Sequence, residues 1–196
     1  MPEDTQLSDS DGVFLVKTAR MAVTEFLSTG KKMKLESERE KKFSFNSGVF
    51  VTLNNADGLR GCIGFPMPDK KLSNGIIDAA IAAATEDPRF SPVKTNELSE
   101  IVFEVTVLTP PVEIIVNDPM EYLEKIKVGR DGLIIRNSFS SGLLLPQVPV
   151  EYGWDVEEFL QHTCEKAGLE KDTWKNEKVK IEKFEGIVYK EESNGS

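Results

Sequence analysis

The chain has 196 residues, of which 39% are hydrophobic, 8% aromatic and 29% charged, ordinary figures for a soluble globular protein. This apolar mass excludes disorder along the whole chain, and folding at this length buries about 70% of the unfolded surface in one or two domains. The 33 acidic and 24 basic residues leave a net charge of −9 and a pI near 4.8, a poor basis for gripping nucleic-acid phosphates or anionic membranes.

In chain order, apolar residues Leu15, Ala19, Ala22, Val23 and Phe26 recur at helical spacing and predict a helix over 11–28. Ser10 or Asp11 supplies its N-cap, and Gly30 its left-handed end. The stretch 31–42 is almost entirely charged with the signs mixed, which reads as a solvated loop or flap. A hairpin follows, with Val49, Val51 and Leu53 on one face of its first strand and turn residues over 54–58. In the return strand, Leu59-Arg60-Gly61-Cys62-Ile63-Gly64, period-two alternation sends Leu59 and Ile63 one way and Arg60 and Cys62 the other.

A second helix is expected over 73–85, capped by Ser73 and stopped by Asp87-Pro88. The run 101–108 forms a strand with Ile101, Phe103, Val105 and Val107 on one face, and Pro110-Pro111 marks a lobe boundary. Beyond it come a strand over 112–116, a helix over 118–125 and a hairpin over 128–133 turning at Asp131-Gly132. Strands over 133–136 and 142–145 follow, then a loop holding Gln147, Tyr152, Gly153 and Trp154. Asp155, with Glu158 three residues on, opens a capped helix that buries Val156, Phe159, Leu160, Thr163, Cys164 and Ala167 and ends at Gly168-Leu169. A last strand over 179–189 leads into a polar tail. Antiparallel hairpins with helices between them define α+β layers in two lobes, about 10–110 and 111–190, each a mostly antiparallel sheet with helices packed on it.

Several chemistries are absent. No apolar run approaches the ~20 residues of a membrane span, and Met1-Pro2-Glu3-Asp4 lacks the basic, apolar start of a secretory signal. Two cysteines, Cys62 and Cys164, point to reduced thiols in a cytoplasm, with one bridge between them left open. A single histidine, His162, leaves no multi-histidine metal site. His162 and Cys164, two apart on a helix, diverge by about 200°, so His162 is expected on the polar face with Glu158 and Lys166. No metal centre is expected, and no cofactor is specified.

Cys62 is the leading candidate for chemistry. Gly61 and Gly64 leave room for a ligand beside it, and a guanidinium at Arg60 favours the nucleophilic thiolate. The competing role is that of a small buried hydrophobe. Glu104 interrupts an apolar strand, as either a solvated residue or a half-buried acid–base group. Asp87 and Arg89 form a loop-fixing pair or a binding element, and Gln147 and Trp154 lie where binding residues concentrate.

The hexapeptide at 59–64 matches the LRGCIG signature of the AMMECR domain family, whose microbial members go by the name of protein A of the AmmeMemoRadiSam system. Asp87-Pro88-Arg89-Phe90, Glu104-Val105-Thr106-Val107-Leu108, Gly142-Leu143-Leu144-Leu145-Pro146-Gln147-Val148 and the stretch from Gly153-Trp154 to Gly168-Leu169 resemble family segments in the expected order, from about 14 to 189. The resemblance implies a single AMMECR-type domain, an α+β fold in two lobes, and the hexapeptide near a cleft between them. It also implies, from gene neighbourhood, Memo-type and radical-SAM proteins as partners; an unknown small molecule is a further expected partner, and the acidic charge speaks against nucleic acid or a membrane. No settled reaction carries over. Two readings follow. In one, the protein is an enzyme or modification-system component with Cys62 as nucleophile or redox thiol, Arg60 holding the thiolate or an anionic group, and Glu104 or His162 as base. In the other it is a non-catalytic adaptor that docks a partner protein through the surface 147–154.

Overall fold

Ser8, rather than Ser10 or Asp11, caps the first helix, α1 (Asp9–Thr29). Its hydroxyl accepts from the Asp11 N–H, and the Asp11 carboxylate accepts from the Ser8 N–H at 2.9 Å. Asp11 is thus the third helical residue of a capping box, which moves the start two residues back. Gly30, at φ 68°, ends α1 and donates its N–H to Phe26 O. The computed structural model describes residues 7–35, 41–176 and 179–192; residues 36–40 of the charged stretch and 193–196 of the polar tail lie outside them. Within that stretch, Lys32 pairs with Asp78, and Lys42 lies 2.6 Å from Asp11, so part of it is tied to helices rather than solvated.

The chain divides into two units, one comprising its residues up to Leu108 and from Ile187 on, the other Thr109–Gly186. In the first, β1 (Val49–Asn55) lies between β2 (Gly58–Phe65) and β3 (Val102–Leu108), all antiparallel. One face carries Val49, Val51, Leu53, Phe103, Val105 and Val107, all fully buried, in one apolar core with α1 and α2 (Leu72–Thr85). The other face carries Phe50, Thr52, Cys62, Glu104 and Thr106, all half-buried.

Ser73 does not cap α2. The helix starts one residue earlier, and Phe45 O and Phe43 O accept from Leu72 N and Ser73 N at 2.9 and 3.0 Å. Those carbonyls do the work of a cap, and the Ser73 hydroxyl is buried with no hydrogen-bond partner among the described residues. The unit is completed by the end of the chain's last strand. Glu191 exchanges backbone and side-chain hydrogen bonds with Phe103 at 3.0 Å and accepts from Arg20 Nη2 at 2.7 Å. The Tyr189 ring covers Gly12, where a Cβ would lie 1.9 Å from it.

In the second unit β7 (Lys180–Lys190) begins between β4 (Val112–Glu113) and β5 (Asp131–Arg136), and β5 pairs with β6 (Ser141–Leu144), again antiparallel. The expected strand over 112–116 shrinks to two residues. The expected helix over 118–125 divides into a 3-10 turn, Pro119–Glu121, capped by Asp118, and α3 (Tyr122–Lys125). Asp131-Gly132 is not a turn. Asp131 is fully buried at the start of β5, where it accepts from Lys127 N and the Arg130 guanidinium. The turn is made by Val128, Gly129 and Arg130, with Gly129 at φ 83°. The stretch expected as a loop after β6 contains a short helix, α4 (Gln147–Tyr152).

The clearest sequence signal is met, save that Val156 is half-buried rather than buried. Asp155 and Glu158 form the capping box of α5 (Val156–Lys166). The helix buries Phe159, Leu160 and Cys164 in one cluster with Leu133, Ile135, Trp174 and Ile181. Gly168, at φ 73°, ends it, and Leu169 N donates to Cys164 O at 2.9 Å. The fold class is therefore α+β, as its alternating patterns predict. Among the described residues no helix is long and apolar enough to cross a membrane.

Candidate functional site

β2 is an edge strand of the first unit's sheet, and it is not regular. Its register against β1 shifts between Leu53, opposite Gly61, and Asn54, opposite Leu59. Arg60 is the extra residue of a β-bulge, and a bulge re-aims the side chain it carries. Arg60 donates from Nε and Nη2 to the Glu97 carboxylate at 2.9 and 3.2 Å and from Nη1 to Ser91 O at 2.9 Å. These bonds leave its side chain 12% exposed. The guanidinium holds Glu97 below the usual carboxylate range, helped by the Lys94 N–H. Arg60 is thus a loop-fixing residue, and the alternation that paired it with Cys62 fails because the bulge interrupts the period.

Cys62 lies past the bulge, directly opposite Thr52. The Thr52 hydroxyl donates to Cys62 Sγ at 3.3 Å. Thr52 in turn lies opposite Glu104 on β3, so Cys62, Thr52 and Glu104 form one row across three strands. Two strand spacings, roughly 9–10 Å, separate the first from the last.

The edge of β2 at Cys62 is clasped by the segment that ends α2. Pro88 prevents Asp87 from continuing the helix, and the Asp87 carboxylate turns back to the strand. It accepts from Cys62 N at 2.8 Å, Arg89 N at 3.1 Å, and Arg89 Nε and Nη2 at 3.0 and 2.8 Å. Arg89 Nη2 also donates to Cys62 O at 3.4 Å. Asp87 is buried, yet its carboxyl is held far below the usual range, chiefly by the Arg89 guanidinium and, against burial, by the Cys62 and Arg89 N–H groups. The cation bonded to the Cys62 main chain is therefore Arg89, whose side chain remains 54% exposed.

Gly61 and Gly64 do not hold space for a ligand. A Cβ on Gly61 would stand 2.2 Å from Ala83 O of α2, and one on Gly64 2.3 Å from the Phe50 ring. Both are glycines because protein already fills that space.

The remaining candidates belong to the second unit. His162 stacks on Trp154 (centroids 3.9 Å apart), and Trp154 stacks on Tyr152 at 4.9 Å. Nδ1 of His162 bonds Glu165 at 2.8 Å, not Glu158, whose carboxylate accepts from Asp155 N. Gln147 is exposed at the start of α4. Cys164 is fully buried, its thiol pushed up to about 11 by that burial. Both cysteines are free thiols. Among the described residues no group of three His, Cys, Asp or Glu side chains is placed to hold a metal. Sequence reasoning missed Thr52 as the partner of Cys62, because the bulge sets the register, and missed Asp87 as the acceptor of its N–H, a contact across 25 positions of chain.

An edge strand carrying Leu59-Arg60-Gly61-Cys62-Ile63-Gly64, clasped by Asp87-Pro88-Arg89, belongs to a defined class: the AMMECR1 family model matches residues 16–189, and the chain is a member of that family. Protein MJ0810 of Methanocaldococcus jannaschii is 54% identical over 187 residues, covering 94% of this chain and 92% of its own. Protein PYRAB00100 of Pyrococcus abyssi is 50% identical over 192 residues, covering 95% and 93%. The crystal structure of the uncharacterized protein PH0010 from Pyrococcus horikoshii matches with a TM-score of 0.78 at 50% identity, covering 95% of this chain and 94% of that one.

Proposed function

We propose that the protein acts through the Cys62 thiol, as an enzyme or as the thiol-bearing component of a modification system, on the half-exposed face of the first unit's sheet. The observation that carries this reading is the fixation of Cys62. Its N–H, its C=O and its sulfur each have a side-chain partner, in Asp87, Arg89 and Thr52, while the thiol stays half-buried rather than sealed. Such positioning is what a reacting group needs. The thiolate is the nucleophile, Thr52 donates to it, and Glu104, in the same row one strand further, is the candidate base. A reducing cytoplasm keeps such a thiol free. The Memo-type and radical-SAM proteins of the family's gene neighbourhood are the partners this reading carries, with a small molecule as substrate.

Alkylation by iodoacetamide at pH 7, read by peptide mass spectrometry, tests the reading. Cys62 should react at least about 100-fold faster than Cys164, and Thr52→Val should slow Cys62 about fivefold, as loss of one hydrogen bond of ~1 kcal/mol requires. Equal, slow labelling of both thiols, or indifference to Thr52→Val, overturns it.

A second reading, a docking adaptor, draws on the aromatic ladder of the second unit. Tyr152 is 68% and Val150 59% exposed beside the stacked Trp154, and exposed aromatic clusters anchor protein partners. Under it Trp154→Ala weakens capture of a Memo-type partner at least tenfold while Cys62→Ala leaves capture intact; the converse pattern removes the adaptor.

A further inference from the structure

We propose that a cavity between α1 and the end of β7 binds a small molecule with an apolar body and one anionic group, a carboxylate or a phosphate. All of its lining residues belong to the first unit, and none of them is in the row of Cys62, Thr52 and Glu104. The inference therefore goes beyond the thiol reading and stands or falls apart from it.

Val13, Val16, Lys17 and Arg20 stand at i, i+3, i+4 and i+7, which is one stripe of α1. With Ile101 and Val102 on one side and Lys190, Glu191 and Glu192 on another, they line a cavity of about 770 Å³. Small-molecule sites occupy roughly 300–1,000 Å³. Its frame is tied before any ligand arrives. Arg20 donates to Leu98 O at 2.9 Å, to Ile101 O and to the Glu191 carboxylate. One side chain thus joins the helix, the segment before β3 and the end of the chain's last strand, and such preorganisation lowers the ordering entropy that opposes binding.

The surface of the cavity has two characters. Val16 and Ile101 belong to the buried core, while Val13 beside them is 54% exposed, an apolar wall that a hydrocarbon or aromatic body covers with gain. Arg20 and Glu191 neutralise each other. Lys17 and Lys190 are exposed, and among the described residues neither ammonium has a hydrogen-bond or ion-pair partner. Glu192 is the one other charge on the lining, so the unpaired charges are two cations against one anion. In a molecule of net charge −9 this is a local reversal of sign, and it draws an anionic group to the cavity mouth. Two ammoniums on flexible four-carbon stems can converge on one such group.

Two fluorescent probes share one ring system and differ in charge: 8-anilinonaphthalene-1-sulfonate is anionic and N-phenyl-1-naphthylamine is neutral. Fluorescence titration of the full chain should show one saturable site, with the anionic probe bound about tenfold more tightly than the neutral one. Lys17→Glu and Lys190→Glu should each weaken the anionic probe at least about fivefold and leave the neutral probe within about twofold. Val13→Asp should weaken both probes. All three positions are exposed, so these variants leave the core intact. Hexanoate and hexyl phosphate, one body with two head groups, should displace the bound anionic probe, the stronger competitor naming the preferred group, and hexanol should not. No saturable binding of the anionic probe overturns the site. Equal affinity for the two probes, indifference of the anionic probe to both lysine changes, or displacement by hexanol as readily as by hexanoate overturns the anionic ligand.

Discussion

Asp87 accepts four hydrogen bonds, one from Cys62 N and three from Arg89, and its removal is felt at the strand edge and in the loop at once. Asp87→Asn replaces a buried, charged acceptor with a neutral one that brings its own N–H groups, at a cost of about 2–3 kcal/mol at pH 7. The pH dependence follows from the depressed carboxyl. Its usual value is 3.8 and its folded value lies below that, so its contribution is fully present above pH ~4 and is lost as the pH falls through the folded value. Urea midpoints at pH 7 and pH 3 should therefore differ less in Asp87→Asn than in the wild type. Equal acid sensitivity would show that Asp87 is not a stabilising carboxylate. At this scale the candidate site was half legible. Cys62, Asp87 and Arg89 stand out by residue type, and Asp87 and Arg89 are read correctly as a pair. The link from Arg60 to Cys62 failed because one unpaired residue reverses every inference from alternation on its far side.

At the scale of elements, β2 and α2 meet through small residues. Gly61 faces Ala83 O, and Ala79, Ala80 and Ala83 of the helix are buried, which lets the helix end close on the strand that presents Cys62. Gly61→Ala should cost about 1–3 kcal/mol by overpacking and lower the melting temperature by several degrees, whereas Leu59→Ala two residues away, at an exposed position, should stay within ~0.5 kcal/mol. Similar melting for the two variants would refute the close approach. Elements with strong local chemistry were the legible ones: the Asp155–Glu158 box, the stop at Gly168, and the β-branched and aromatic faces of β1 and β3. Those decided by contacts that residue type alone does not announce were not. Ser73 looks like a cap until the carbonyls of Phe43 and Phe45 take its place, and Asp131-Gly132 looks like a turn until the carboxylate is sealed against Arg130 and Lys127.

Over the whole molecule, the first unit is discontinuous in sequence, since it needs the residues from Ile187 on, and the second is one unbroken stretch, Thr109–Gly186. Tyr189 over Gly12, and Glu191 bonded to Arg20 and to Phe103, are supplied only by those last residues. Deleting residues 187–196 should uncover an arginine and a strand edge in the first unit and lower its melting temperature by more than 10 °C, given a loss of several hydrogen bonds at ~1 kcal/mol each and of the buried contact of an aromatic ring. Circular dichroism melting checks this, and an unchanged transition would show the closing segment to be ornamental. The arrangement also bears on biosynthesis. The half that a ribosome makes first, residues up to Leu108, cannot close until the residues from Ile187 on have been added, so the beginning of the message waits for nearly the whole of the rest. Nascent chains are therefore exposed longest in the half that carries Cys62, and a product that stops short of residue 187 bears an incomplete first unit.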